Sequence, residues 1–141
     1  MIRACNQSDI DHIITIWLEA SMKAHDFIDS AFWESRVSDM KEIYIPSAET
    51  YVFEEGNELK GFISLVGDTV AALFVSPRYQ GEGIGKQLIL KSKALREKLI
   101  LTVYKENERS IEFYRKSGFE IIHEQIDHHT GHAEVVMQCN S

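Results

Sequence analysis

Two groups of residues in the second half of the chain have the types and spacing of a ligand site. The first lies in Leu73-Phe-Val-Ser-Pro-Arg-Tyr-Gln-Gly-Glu-Gly-Ile-Gly85, where Gln80-x-x-Gly83-x-Gly85 joins an apolar run to the start of a helical pattern. Backbone free of side chains lets several N–H groups converge on one anion, and the dipole of the following helix adds attraction. The run lacks a Walker Lys-Ser/Thr ending and the acidic residue of a Rossmann unit, which favours a phosphate-bearing ligand other than a simple nucleoside triphosphate or NAD. Charge points the same way. Residues 68–118 carry ten basic and six acidic side chains, against five and twelve in residues 1–67 and none and four in 119–141. A chain of net charge −7 therefore holds one basic segment, and the loop lies in it.

The second group is Asn107-Glu-Arg-Ser-Ile-Glu-Phe-Tyr114-Arg-Lys-Ser-Gly118-Phe119. Asn107 is a good helix cap and Gly118 a good helix stop, and Tyr114 has an apolar ring with a polar tip. This helix and the glycine loop both follow strands. That places them at the carboxyl edge of a sheet, where α/β proteins usually bind ligands.

The elements that must position these groups follow from periodicity. Ile2 to Cys5 predicts a short strand, and Ser8-x-x-Asp11 the capped start of a helix with Ile10, Ile13, Ile14, Trp17 and Leu18 inward, running to about Ala24. A second helix is expected after Asp29 or Ser30, with Phe32, Trp33, Val37, Met40 and Ile43 inward, stopping before Pro46. Thr50 to Glu54, Lys60 to Val66 and Thr69 to Val75 alternate with period two and read as an antiparallel meander. A helix to about Lys98, a strand from Leu99 to Tyr104, the Asn107 helix, and a hairpin of Phe119 to Asp127 with Ala133 to Cys139 complete the order β-α-α-β-β-β-α-β-α-β-β. The expected fold is a mixed α/β (α+β type), mostly antiparallel sheet of about seven strands with four helices, in a single domain spanning 1–141.

The 141 residues, 44% hydrophobic and 26% charged, exclude disorder, collagen-like repeats and disulfide scaffolds. The acidic surface argues against nucleic acid and anionic lipid as partners. No apolar run approaches a membrane span and no secretory leader is visible, so a cytoplasmic protein is expected, with Cys5 and Cys139 reduced. His123, His128, His129 and His132 crowd one turn, but chance proximity in a hairpin does not make a metal site, and none is expected.

Taken together, the strand Leu73 to Val75, the Gln80 to Gly85 loop, and Asn107 with Tyr114-x-x-x-Gly118-Phe119 resemble the GNAT superfamily of N-acetyltransferases, across Ile2 to Cys139 in element order. The resemblance implies acetyl-CoA as acyl donor. Backbone N–H groups of Gln80, Gly81, Glu82, Gly83, Ile84 and Gly85, with Lys86 beside them, would hold the pyrophosphate. The edge of Leu73, Phe74 and Val75 would pair with the pantetheine amides, and the strands on either side of the thioester would splay. It also implies direct transfer to a primary amine, with residues 6–45 and 123–134 on the acceptor side. Both lie in segments of negative charge, which favours a protein lysine or a small cationic amine, and a monomer or homodimer is expected. The other reading is a non-catalytic CoA or nucleotide sensor.

An alkylamine with a pKa near ~10.4 must lose a proton before it attacks. The thioester oxygen then gains charge that the Val75 N–H could stabilise, and the departing thiolate needs a proton. By the resemblance, Tyr114 supplies that proton and Asn107 contacts the coenzyme. The carboxylate base common in the family's central strand is missing from Thr69-Val-Ala-Ala-Leu-Phe-Val75. His25 is the candidate base, against a plain solvated helix-end histidine, with Asp68, Glu54 and Tyr51 behind it.

Overall fold

Arg3 organises the start of the chain. From β1 (Ile2–Ala4) its guanidinium grips Asp9 through two bonds, at 2.8 and 3.0 Å, and reaches Glu54 at 3.2 Å. Asp9 also accepts the Asn6 N–H at 2.9 Å, which closes a 3₁₀ turn over Gln7–Asp9 ahead of α1 (Ile10–Ala24). The helical entry is thus set by Asn6 and Asp9. Ser8, expected as the cap, instead donates its hydroxyl to Asn6 Oδ1.

The computed structural model describes residues 1–140. After α1 come α2 (Ser30–Ser35), β2 (Glu49–Glu55), β3 (Glu58–Val66), β4 (Thr69–Val75), α3 (Ile84–Leu95), β5 (Lys98–Tyr104), α4 (Glu108–Lys116), β6 (Glu120–Ile126) and β7 (Ala133–Asn140). The strands form a seven-stranded sheet in the order β1-β2-β3-β4-β5-β7-β6. All pairings are antiparallel except β4 with β5. This is the mixed, mostly antiparallel architecture expected from the element order.

Strand alternation divides the core into two layers. Ile63, Leu101, Val103 and Met137 pack with Ile84, Leu88 and Ile89 of α3 and with Ile111 and Tyr114 of α4. Val52 and Phe62 pack instead with Ile13, Ile14, Trp17 and Trp33 of α1 and α2. β6 ends the sheet with all seven residues exposed. Among the described residues no helix is long and apolar enough to cross a membrane.

The structure departs from several further expectations. The second helix is regular only through Ser35, then passes through a short turn (Val37–Asp39), a π turn (Met40–Tyr44) and a last turn (Ile45–Ser47). The wide π turn rotates the residues beyond it, so Ile43 is 53% exposed and Ile45 is buried in its stead. Pro46 sits inside the last turn rather than after the helix. α3 ends at Leu95, not near Lys98, because Arg96 turns extended. Its guanidinium then bonds the Gly67 carbonyl at 2.9 Å and Glu49 at 2.8 Å.

The Asp9 grip makes stability depend on acidity. The Arg3 hydrogen bonds hold the Asp9 carboxyl below its ordinary range. The contribution is therefore full above the unfolded value of about 3.9 and is lost as pH falls through the lower folded value. Urea unfolding across this range should show Asp9→Asn less stable than wild type at pH 7, with the two curves converging as pH falls through the lowered folded value.

Candidate active site

β4 and β5 run in parallel and share one paired position, Thr69 with Ile100, next to the Ile100 N–H bond to the Asp68 carbonyl at 2.9 Å. Beyond it they separate. The register between β3 and β4 shifts from Ser64–Ala72 to Leu65–Val70, leaving Ala71 as an extra residue that kinks β4 where the divergence starts. Phe74 pairs with Phe62, and Ser76 donates to the Lys60 carbonyl at 2.8 Å. By the alternation of an antiparallel ladder, the N–H and C=O groups of Leu73 and Val75 then face the gap. The Val75 carbonyl is met there by Nε2 of Gln80 at 3.2 Å.

The gap opens into a cleft of about 1030 Å³. One wall is the loop, with Gln80, Gly81, Gly83, Ile84, Gly85 and Lys86 lining it and Glu82 outside the lining. Gly83 caps α3 with φ +83°, a conformation open to glycine at no cost. The first bond of that helix runs from the Gln87 N–H to the Gly83 carbonyl at 3.1 Å, so the N–H groups of Ile84, Gly85 and Lys86 have no partner within the helix. These free donors and the helix dipole form an anion-attracting corner.

The opposite wall is α4. Its end is a Schellman motif: the Phe119 N–H bonds the Tyr114 carbonyl at 2.9 Å and the Gly118 N–H bonds the Arg115 carbonyl at 3.0 Å. Gly118 has φ +100°, and the Phe119 ring packs edge-on against Tyr114 at 5.6 Å. Lys93 of α3 also donates to the Ser117 carbonyl. The Tyr114-x-x-x-Gly-Phe spacing is thus the local device that seats Tyr114. That side chain is buried and lines the cleft, and its hydroxyl makes no hydrogen bond among the described residues. Burial pushes its pKa well up, so the phenol keeps its proton at neutral pH.

Asn107 caps α4 by accepting the Ser110 N–H at 3.2 Å, and its Nδ2 meets Nε2 of His25 at 3.2 Å. His25 is not a solvated helix-end residue. It is 8% exposed, packed by Trp33, Tyr104 and Phe27, and burial lowers its pKa. The weaker base candidates do not enter the cleft. Glu54 is held by Arg3, Tyr51 donates to Glu49, and Asp68 lies 4.0 Å from Arg96. Cys5 and Cys139 are free thiols outside it. Among the described residues no three His, Cys, Asp or Glu side chains converge as metal ligands.

Several lining residues carried no motif. Lys23 donates to Gln80 Oε1 at 3.3 Å, and Phe27, Trp33, Tyr104, Glu106 and Glu134 surround the end nearest α1 and α2. Period two along β5 and β7 could have put Tyr104 and Glu134 on one face, where they stand paired.

Residues 46–121 match a family model described as an acetyltransferase (GNAT) domain. The chain belongs to this family. It is similar to the peptidyl-lysine N-acetyltransferase YiaC of Escherichia coli, 35% identical over 86% of this chain and 84% of that one. It is also similar to the peptidyl-lysine N-acetyltransferase YjaB of Salmonella typhimurium, 30% identical over 95% of this chain and 87% of the other. In fold it matches the PaiA N-acetyltransferase of Thermoplasma acidophilum in complex with coenzyme A, with a TM-score of 0.84, 20% identity, and 100% and 98% of the two chains covered. The protein is an acetyl-CoA-dependent N-acetyltransferase, as the motifs led us to expect.

Gly83 and Gly118, two of the glycines that this acetyltransferase holds at positive φ, should differ under substitution. At Gly83 an added Cβ meets nothing within 4 Å, so Gly83→Ala carries only backbone strain of about 1–2 kcal/mol. At Gly118 the Cβ would lie 3.2 Å from Lys93 Nζ and 3.5 Å from Cys139 Sγ, so Gly118→Ala should be the more destabilised of the two in urea unfolding.

Proposed function

We propose that the enzyme moves an acetyl group from acetyl-CoA directly to the primary amine of a lysine side chain in a peptide or protein, with the chain acting as one domain. The observation that carries the reading is the protonated Tyr114 hydroxyl, carried on a buried side chain and free of protein partners, in a cleft that also offers unpaired strand backbone.

In this reading the N–H groups of the Gln80 to Gly85 loop, with Lys86, hold the pyrophosphate. Leu73 and Val75 pair with the pantetheine amides as an added strand would. The Val75 N–H faces the gap and stabilises the oxygen of the tetrahedral intermediate. The amine attacks the thioester carbon, the C–S bond breaks as the intermediate collapses, and Tyr114 protonates the leaving sulfur. The phenolate is then reprotonated from solvent. The amine's own proton leaves to water at the end of the cleft lined by Glu106 and Glu134.

For the acceptor, support comes from two directions. Relatives at 35% and 30% identity are named peptidyl-lysine N-acetyltransferases. At the end of the cleft away from the loop, Asp26, Glu106 and Glu134 stand among the rings of Phe27, Trp33 and Tyr104. Carboxylates attract an ammonium and the rings pack its alkyl chain.

Tyr114→Phe should lower kcat by about 10² to 10⁴ while calorimetric acetyl-CoA affinity stays within a few-fold. An unchanged kcat would remove Tyr114 from the acid role. In an acceptor screen following CoA release, lysine peptides should be turned over ahead of free amino acids, polyamines and aminoglycosides, and salt should slow them. Preference for a neutral or acidic acceptor, with no effect of salt, would refute the acceptor assignment.

A further inference from the structure

His25 and Asn107 stand 82 positions apart in the chain and meet side chain to side chain at 3.2 Å. The Asn107 amide is not free to turn over, because its Oδ1 accepts the Ser110 N–H that begins α4. With Oδ1 committed, Nδ2 is the donor, and Nε2 of His25 must accept with its lone pair. The ring proton therefore sits on Nδ1. That nitrogen closes no hydrogen bond and is shut off from solvent. The ring is held by Trp33 at 5.3 Å, Tyr104 at 5.2 Å and Phe27 at 5.8 Å between centroids. Neutral imidazole is the only form that fits, because a cation would bring a second N–H against the Asn107 amide.

We propose that His25 is a positioning residue: its Nε2 lone pair fixes the amide of Asn107, and through it the first turn of the helix that carries Tyr114. His25 closes α1, on the side of Phe27 and Trp33, while Asn107 opens α4. One hydrogen bond thus ties the end of α1 to the start of α4, and both helices line the cleft. A general base needs the same lone pair, so His25 cannot serve as one while this bond stands. The size of the kinetic effect rests on the acid role given to Tyr114 above, whereas the hydrogen bond itself does not.

Two measurements separate these. In full-length protein at neutral pH, ring nitrogen shifts should show His25 as the neutral Nδ1–H tautomer, with one Asn107 side-chain amide proton shifted and slow to exchange. An Nε2–H or cationic His25, with solvent-like Asn107 amide protons, would overturn the proposal whatever the catalytic role of Tyr114. In kinetics, Gln at position 25 offers an acceptor oxygen and no titrating group, while Leu offers neither. His25→Gln should keep kcat within about threefold of wild type, and His25→Leu should lose about tenfold or more because a buried donor is left unpaired. Loss of about 10² or more in His25→Gln would mean a base is needed there, and wild-type kcat in a folded His25→Leu would mean the bond does not matter; either result overturns the proposal.

Discussion

The site depends on one interruption of backbone hydrogen bonding. A parallel pair of strands would ordinarily continue its ladder, yet β4 and β5 stop after the rung at Thr69 and Ile100. Buried backbone groups left unpaired are costly, so this arrangement lasts only where something else can meet them. The Gln80 amide does so at the Val75 carbonyl, and the rest of the edge opens on the cleft. The kink at Ala71 and the Arg96 bonds to Gly67 and Glu49 fasten the point from which the strands diverge.

The division of charge along the chain acquires a spatial meaning. The basic middle segment supplies the loop and α4, while the acidic first and last segments supply Asp26 and Glu134. Opposite ends of one cleft thereby favour opposite charges, an anion at the start of α3 and a cation by the aromatic rings.

What could be read in advance was local. The Asn107 cap, the Gly118 stop and the seat of Tyr114 are encoded within thirteen residues, because a Schellman motif is built from neighbours. The period-two runs gave the strands to within two residues, and the element order gave the architecture. The splay, the extra residue Ala71 and the His25–Asn107 bond arise from contacts distant in sequence, and no spacing rule reaches across them. Ile43 was misplaced because a helical period assumes 3.6 residues per turn, which the π turn does not keep. His25 looked like a solvated helix end because its ring neighbours Trp33 and Tyr104 come from other elements.

The bare rim of the sheet sets a different problem. β6 shows Ile121, Ile122 and Ile126 to solvent and has β7 on one side alone, which is the profile of a strand that recruits others and aggregates. Its register against β7 slips at Ile122, so the outer edge is not one flat ladder. Glu120 and Glu124 stand exposed along the same strand, Glu124 paired with Lys105 at 3.0 Å, and two such edges brought side by side would set these charged side chains near each other. The irregularity and the charge both oppose the addition of a further strand at this edge.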